Sequence, residues 1–203
     1  MSRSKRFENA LKFAARLHAG QTRKGSNTPY IGHLLAVAAI AIEHGASEDE
    51  AIGALLHDAV EDQGGKPTLR KIRRRYGKRV ARIVDGCTDT DKMPKPPWCQ
   101  RKKDFVASLH TASPSIRLVV AADKLHNARA VLSDYRNDGE AVWSNFTTGR
   151  DGTLWYYRSV TDSLLGSLSS DDHQLETLIS ELNRIVSTLA QECGGPAPST
   201  FCD

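Results

Sequence analysis

Four ionisable side chains lie close together at the end of an otherwise apolar segment, ALLHDAVED. His57 and Asp58 are adjacent in this segment. Glu61 and Asp62 follow within the next helical turn. Burying a charged group without a partner is costly, so these side chains are either exposed or share a counter-charge. Imidazole and carboxylate ligands together suit a first-row transition metal, and the segment therefore predicts part of a metal site.

Two further side chains could complete such a site from other parts of the chain. His33 lies among apolar residues, and Asp123 follows five consecutive apolar residues. Taken alone, His33 is better explained as a hydrogen-bonded core histidine, and an ion pair within its own helix explains Asp123 as well as a metal does. A charged carboxylate in an apolar setting needs a counter-charge. Together with His57 and Asp58, one shared metal ion explains the four side chains better than separate structural roles.

The elements that position these residues are predicted to be helices, because apolar residues recur at intervals of three and four along almost the whole chain. The predicted helical segments, bounded by capping residues, glycine and proline, are 7–20, 29–45, 47–62, 68–87, 114–136, 152–166 and 172–193. Three prolines and several turn-forming residues predict a loop at 88–98. No strand, repeat or domain linker is indicated, so the predicted fold is a single all-α domain.

Length and composition favour one globular domain. The 203 residues suffice for one well-cored domain but hardly for two, and no apolar run is long enough to cross a membrane. The four cysteines form no C-x-x-C pair, which indicates neither a zinc knuckle nor a disulfide framework and favours a reducing cytoplasm. The net charge of +4 comes partly from the basic segment 69–82. Because no aromatic stacking pattern accompanies these charges, a solvated helix face is favoured over contact with nucleic acid.

The order H…HD…D resembles that of the HD-domain metal-dependent phosphohydrolases. More narrowly, four motifs are similar to the hydrolase domain of RelA/SpoT homologues, and most of all to the free-standing small alarmone hydrolases that lack a synthetase half. These motifs are HAGQTRKGSNTPYIGHLLAVA, ALLHDAVED, YGKRVARIVDGCTD and ADKLHNAR. The resemblance implies an HD-domain helical bundle over residues 1–192, with a motif-bearing core at 7–165 and a packing helix at 172–192. Residues 193–203 are expected to form a flexible tail.

The resemblance also implies roles for individual residues. One manganese ion per chain would be held by His33, His57, Asp58 and Asp123. Glu61 and Asp62 match the acidic pair that acts on the attacking water in that family. Contacts with the nucleotide are implied for Arg23, Lys24, Asn127, Arg150 and Tyr157. Only one further histidine, His110, lies between Asp58 and Asp123, which favours one metal over two, and His126 is expected to have a surface or packing role.

The implied activity is hydrolysis of the 3′-diphosphate of guanosine tetra- or pentaphosphate alarmones to GDP or GTP and pyrophosphate, in the cytoplasm. One alternative is the same site acting on another nucleotide, either an adenosine 3′-diphosphate alarmone or the 2′-phosphate of NADPH. A second is a module that senses alarmones without hydrolysing them, and a third is an RNA-binding protein that uses the basic segment. The expected partner is a small nucleotide, with no membrane; nucleic acid is disfavoured and a homo-oligomer is left open.

Overall fold

Nine α-helices make up most of the residues that the computed structural model describes, which are 4–92, 94–169, 172–195 and 200–202. They are α1 (Lys5–Leu17), α2 (Ile31–Glu43), α3 (Glu48–Leu56), α4 (Ala59–Asp62), α5 (Gly65–Cys87), α6 (Trp98–Leu109), α7 (Pro114–Asp138), α8 (Gly149–Leu165) and α9 (His173–Glu192). A 3₁₀ helix, Gly139–Asn145, joins α7 to α8. Within the described ranges the only extended pairing is an isolated bridge between Thr22 and Pro29. The all-α prediction is confirmed.

Helix α7 is the central element of the core. It packs against α2, α3, α5, α8 and α9, and the segment 118–122 is buried on every side. A helix that is apolar all round is a buried helix, which is why five apolar residues precede Asp123 in the sequence. The same burial carries the Asp123 carboxylate into the middle of the bundle, where its side chain is only 9% exposed.

The third predicted helix is interrupted, so the prediction of one helix over 47–62 is wrong. Helix α3 ends at Leu56, and α4 begins at Ala59, after Asp58 adopts φ −91° and ψ −2°. Successive side chains on a regular helix diverge by about 100°. At this turn His57 Nε2 and Asp58 Oδ2 instead lie 2.9 Å apart, so the break directs two adjacent side chains to one point.

The boundaries of α5 also differ from those predicted. The helix begins at Gly65 rather than after a Thr68 cap, and the Thr68 hydroxyl donates to Gln63 O at 2.6 Å from inside the helix. Gly77 interrupts the helical backbone with φ +94°, a conformation that residues with a side chain rarely adopt. The segment predicted as a helix over 68–87 is therefore part of one kinked helix.

Helix α6 was not predicted at all. Among its twelve residues only Phe105 and Leu109 are buried, so it offers too few apolar positions for a helical period to be recognised. It packs against α8. The loop predicted before it is present between Thr88 and Pro97 in the residues described.

The end of the chain lies against α6 and α8. Cys202 forms a disulfide with Cys99, and the Phe201 ring lies 6.3 Å from Trp98 and 6.4 Å from Trp155. The expectation that the cysteines are unpaired is therefore corrected for these two, because helix α6 and the chain end meet only in the folded structure. Of the predicted tail, 196–199 and 203 lie outside the described residues. None of the described helices is long and apolar enough to cross a membrane.

Candidate metal and catalytic site

The four side chains predicted as metal ligands meet inside the bundle. Helix α2 supplies His33, the α3–α4 turn supplies His57 and Asp58, and α7 supplies Asp123. His57 Nε2 lies 3.3 Å from His33 Nε2 and 2.9 Å from Asp58 Oδ2. Asp123 Oδ1 lies 3.2 Å from His33 Nε2 and 3.5 Å from His57 Nε2. The two imidazoles thus face one point from which both carboxylates are within reach.

This arrangement fits a divalent ion. Neighbouring ligands around a six-coordinate ion with bonds of about 2.1 Å are about 3 Å apart, close to the separations between these atoms. Two imidazoles and two carboxylates suit first-row transition ions, and the two carboxylates balance the charge of one such ion. Both histidines are 2% exposed and Asp123 is 7% exposed, so the protein shields the site while four ligands leave positions open for water and substrate.

The electrostatics keep the two carboxylates ionised. Burial alone would raise the pKa of Asp58, but the charge of His57 and hydrogen bonds from the histidines lower that pKa well below its usual value. Burial opposes the ionisation of Asp123 as well, and the charge of Lys124 with the two histidines lowers its pKa well below the usual value. Metal ligands must be deprotonated, and these two carboxyl groups meet that requirement.

Each ligand has a partner that fixes its orientation. His57 Nδ1 donates to Ala54 O at 2.8 Å, which leaves Nε2 free to face the ion. The Tyr30 hydroxyl donates to Asp58 Oδ2 at 2.6 Å. His33 Nδ1 and His126 Nδ1 share a hydrogen bond of 2.9 Å, so His126 contacts a candidate ligand rather than serving only the surface. Tyr30 precedes His33 by three residues, a spacing that places both side chains on the same face of a helix. This spacing was the sequence signal that could have identified Tyr30 as a residue beside the site.

Asp123 is anchored by groups that also connect it to the predicted nucleotide contacts. The Lys124 ammonium donates to Asp123 Oδ2 at 2.7 Å, and Asn127 Nδ2 donates to Asp123 Oδ1 at 2.5 Å. Arg23 donates to Asn127 Oδ1 at 2.8 Å, and its guanidinium lies 5.9 Å from the centre of the Tyr30 ring. The structure therefore brings Arg23 and Asn127 to the edge of the metal site.

The two predicted catalytic carboxylates lie on α4 beside this site. Lys95 donates to Glu61 Oε1 at 3.0 Å, while burial and the charge of Asp89 raise the pKa of Glu61. Burial and the charge of Asp58 raise the pKa of Asp62. A raised pKa makes a carboxylate a better proton acceptor near neutral pH, which suits a group that takes or orients the proton of a water molecule.

A chain of glutamines holds Asp62 in place. Gln21 Nε2 donates to Asp62 Oδ2 at 2.7 Å. Gln21 Oε1 in turn accepts from Gln63 Nε2 at 2.6 Å and lies 2.7 Å from His18 Nδ1. His18 is 2% exposed, so this end of the network is fixed in the core. Sequence reasoning missed Gln21, although it lies two residues before Arg23.

The remaining predicted contacts have different surroundings. Lys24 is exposed. Tyr157 is buried in α8. Burial raises the pKa of its hydroxyl, the charge of Lys124 opposes this rise, and the charge of Asp123 adds to it. Arg150 donates to Cys193 O at 2.7 Å and to Gly195 O at 2.9 Å. The structure thus commits Arg150 to the end of α9 and does not bring it to the converging ligands.

Comparison with known proteins identifies the family of the chain. A family model described as HD domain matches residues 10–154, more than half of the chain. The human protein named guanosine-3′,5′-bis(diphosphate) 3′-pyrophosphohydrolase MESH1 is 40% identical over 123 residues, which are 59% of this chain and 66% of that protein. The aligned part thus spans slightly less than two thirds of this relative.

Two solved structures share the fold over nearly their whole length. One, described as a metazoan orthologue of SpoT that hydrolyses ppGpp, has a TM-score of 0.70 and 26% identity, and the match covers 89% of this chain and 97% of that chain. The other, the protein lmo0812 from Listeria monocytogenes, has a TM-score of 0.69 and 29% identity, with 77% and 97% covered.

Proposed function

The chain belongs to the HD domain family, and from this premise we propose that it is a metal-dependent hydrolase of guanosine tetra- and pentaphosphate alarmones. It removes the 3′-diphosphate and releases GDP or GTP with pyrophosphate. The observation that carries the proposal is the meeting of two imidazoles and two carboxylates at one shielded point, with two carboxylates of raised pKa beside it. The names of the human relative and of the metazoan structure support the substrate.

We propose one manganese ion per chain, held by His33, His57, Asp58 and Asp123. When bound, such an ion lowers the pKa of a water ligand and polarises the phosphoryl oxygen. The protein supplies the proton acceptor: Glu61 takes or orients the proton of the attacking water, and the Lys95 ammonium holds the carboxylate oxygen in position. Asp62, fixed by Gln21, assists from the same turn.

The nucleotide is proposed to lie across the edge of the site that Arg23 and Asn127 form. The flat guanidinium of Arg23 suits the face of a purine, and its hydrogen bond to Asn127 orients it. Lys24 is exposed beside it and offers a point charge to phosphate. Tyr157, buried in α8, is proposed to contact the nucleotide from that helix, whereas no nucleotide contact is proposed for Arg150.

Removing the Arg23 side chain should weaken guanine and adenine substrates alike. Base stacking is tolerant of base identity because every base has a π-face, and one such contact is worth about 1–3 kcal/mol. Removing the Lys24 side chain should instead reduce kcat/KM more for a ribose diphosphate than for a ribose monophosphate. The measurement is kcat/KM of Arg23→Ala and Lys24→Ala on guanosine and adenosine 3′-diphosphates and on NADPH. An Arg23→Ala protein that loses only guanine substrates contradicts the stacking role.

Replacing Gln21 by alanine should release Asp62 from its hydrogen bond. Supporting residues of metal sites typically contribute about 10- to 100-fold, and we expect a fall of that size in kcat with unchanged metal content. Gln63→Ala is the matched control, because the Gln63 side chain donates its hydrogen bond to Gln21 and not to the Asp62 carboxylate. Equal losses in the two variants, measured by steady-state kinetics and elemental analysis, would show that Gln21 has only a packing role.

The experiment that tests the proposed function is a product assay on the purified chain with a panel of nucleotides. Guanosine tetraphosphate with manganese should give GDP and pyrophosphate, and a chelator should stop the reaction. Turnover of an adenosine 3′-diphosphate or of NADPH alone would support the same site with another substrate. Tight alarmone binding without products would support a sensing module; the acidic pair Glu61 and Asp62 argues against it, because a sensor needs no proton acceptor.

The cytoplasm remains the proposed location. The intracellular nucleotide substrate supports it, whereas the Cys99–Cys202 disulfide removes the argument that was based on unpaired cysteines. The proposed partner is the nucleotide itself, and size measurements in solution would decide whether the chain also forms a homo-oligomer.

A further inference from the structure

The basic residues of the chain are concentrated on two helices. Helix α1 carries four basic residues and one acidic residue, and α5 carries nine basic residues and one acidic residue. The whole chain has 28 basic and 24 acidic residues, so outside these helices the acidic residues are in excess. The modest net charge of +4 is therefore the sum of two strongly basic helices and a net acidic rest of the chain.

Most of these cations are free to meet an external anion. Six exposed basic side chains of α5 form no ion pair with any residue in the described parts of the chain: Arg70, Lys71, Arg73, Arg74, Lys78 and Arg82. Across from them on α1, Lys5 and Arg16 are likewise exposed and without an ion pair among the described residues. Acidic groups compensate four other cations of the two helices: Arg6 pairs with Glu48 and Asp49, Arg79 with Asp49 and Glu50, Lys12 with Glu8, and Lys66 with Asp91.

A groove with a volume of about 930 Å³ separates α1 from α5 and is bordered by these charges. Lys5, Lys12 and Arg16 lie along its α1 side, and Arg75 lies on its α5 side. The Arg75 guanidinium sits 4.5 Å from the centre of the half-buried Phe13 ring in the groove. None of the residues that line it is a residue of the metal site.

We propose that this groove, with the adjoining basic face of α5, binds the phosphate backbone of a nucleic acid. Arg70 and Arg82 are twelve residues apart on a helix that rises about 1.5 Å per residue, so the cations extend over about 18 Å along a kinked path. A single nucleotide would occupy only a small part of this length, whereas a backbone with regularly repeated phosphates matches it.

The fold places an aromatic ring beside the basic segment. The sequence favours a solvated face because no aromatic stacking pattern accompanies the charges. Folding brings Phe13, from α1, beside Arg75, and a ring with a neighbouring guanidinium is a surface on which a base can stack. Because contacts from basic side chains to phosphates carry no sequence information, binding should show little dependence on sequence.

The test is the fluorescence anisotropy of labelled single-stranded RNA, single-stranded DNA and duplexes of equal length, titrated with the full chain at several salt concentrations. If about six phosphates are contacted, the slope of log K against log salt for a single strand is expected to be about −4. The triple variant Lys5→Gln, Arg16→Gln, Arg75→Gln should reduce that slope by about 2 and weaken binding about 100-fold at about 0.1 M salt.

A second triple variant, Lys71→Gln, Arg74→Gln, Lys78→Gln, removes charges from the face of α5 and should have a similar effect. The matched control removes three exposed arginines from α7 and α9: Arg129→Gln, Arg136→Gln and Arg184→Gln. It has the same net charge as the test variants and should bind like the unchanged chain. Hydrolysis of small nucleotides should be unaffected in all three, so failure of this inference is distinguishable from failure of the proposed function.

Several results would overturn the inference. One is the absence of binding at low salt. A second is an equal loss in the test and control variants, which would show a response to net charge alone. A third is binding of vesicles of anionic phospholipid, but not of oligonucleotides, that depends on the groove residues; the surface would then recognise a membrane. Preference for RNA or for DNA among the oligonucleotides would identify which nucleic acid supplies the backbone.

Discussion

Replacing Asp123 with alanine is expected to abolish metal binding and turnover together. The carboxylate is buried, lies 3.2 Å from His33 Nε2 and 3.5 Å from His57 Nε2, and supplies one of the two negative charges that balance the ion. Elemental analysis should show the metal content falling from one ion per chain to near zero. General acid–base residues typically contribute about 10²- to 10⁴-fold to the rate. The loss of kcat in Asp123→Ala should be larger than this, because no metal-activated water remains.

Two further variants make this prediction specific. Asp134→Ala removes an exposed carboxylate from the same helix and should keep both metal and rate. Asp123→Ala leaves the partly buried Lys124 ammonium without its partner, which could disturb the fold. Asp123→Asn preserves the shape of the side chain, so comparing the circular dichroism of the two variants separates loss of the ligand from loss of the fold. An Asp123→Ala protein that still holds one ion per chain would contradict the ligand assignment.

The second prediction concerns Glu61, whose replacement by glutamine should leave metal bound and remove rate. Its carboxylate is largely buried with a raised pKa and is held by Lys95, but it does not join the converging ligands. Glutamine keeps the size of the side chain and cannot accept the proton of the water. We expect kcat to fall about 10²- to 10⁴-fold, with KM and metal content nearly unchanged.

Asp62→Asn is the comparison that assigns the two carboxylates. If Glu61 is the main proton acceptor, Asp62→Asn should lose less rate than Glu61→Gln, because Asp62 is occupied by the hydrogen bond from Gln21. Near-normal kcat in Glu61→Gln, measured under saturating substrate, would remove that residue from the mechanism and make Asp62 the better candidate.

The candidate ligands could be predicted to lie in the core because their signals are local. An apolar run before Asp123 and an apolar stretch before His57 both place ionisable groups in the core, where a shared ion is the economical explanation. The break between α3 and α4 could not be predicted, since both halves have helical spacing and only the backbone angles at Asp58 divide them. Helix α6 escaped prediction because only Phe105 and Leu109 are buried in it.

The supporting groups could not be predicted because they meet the site only through tertiary contacts. Gln21 is 41 residues from Asp62, and Lys95 is 34 residues from Glu61. Nothing in the sequence around either residue indicates which carboxylate it will contact. The placement of Arg150 shows the converse: a loose similarity suggested a substrate contact, whereas the guanidinium is used to hold the carbonyl groups at the end of α9.

The most direct test of the account is the fate of water oxygen during hydrolysis of guanosine tetraphosphate in ¹⁸O-labelled water with manganese. Attack of a water molecule on the phosphorus bonded to the ribose 3′ oxygen breaks that phosphorus–oxygen bond and places the new oxygen in pyrophosphate. Mass spectrometry should therefore find one ¹⁸O atom in pyrophosphate, none in GDP, and no products after chelation. Release of orthophosphate, or unaltered guanosine tetraphosphate in the presence of bound metal, would contradict the proposed activity.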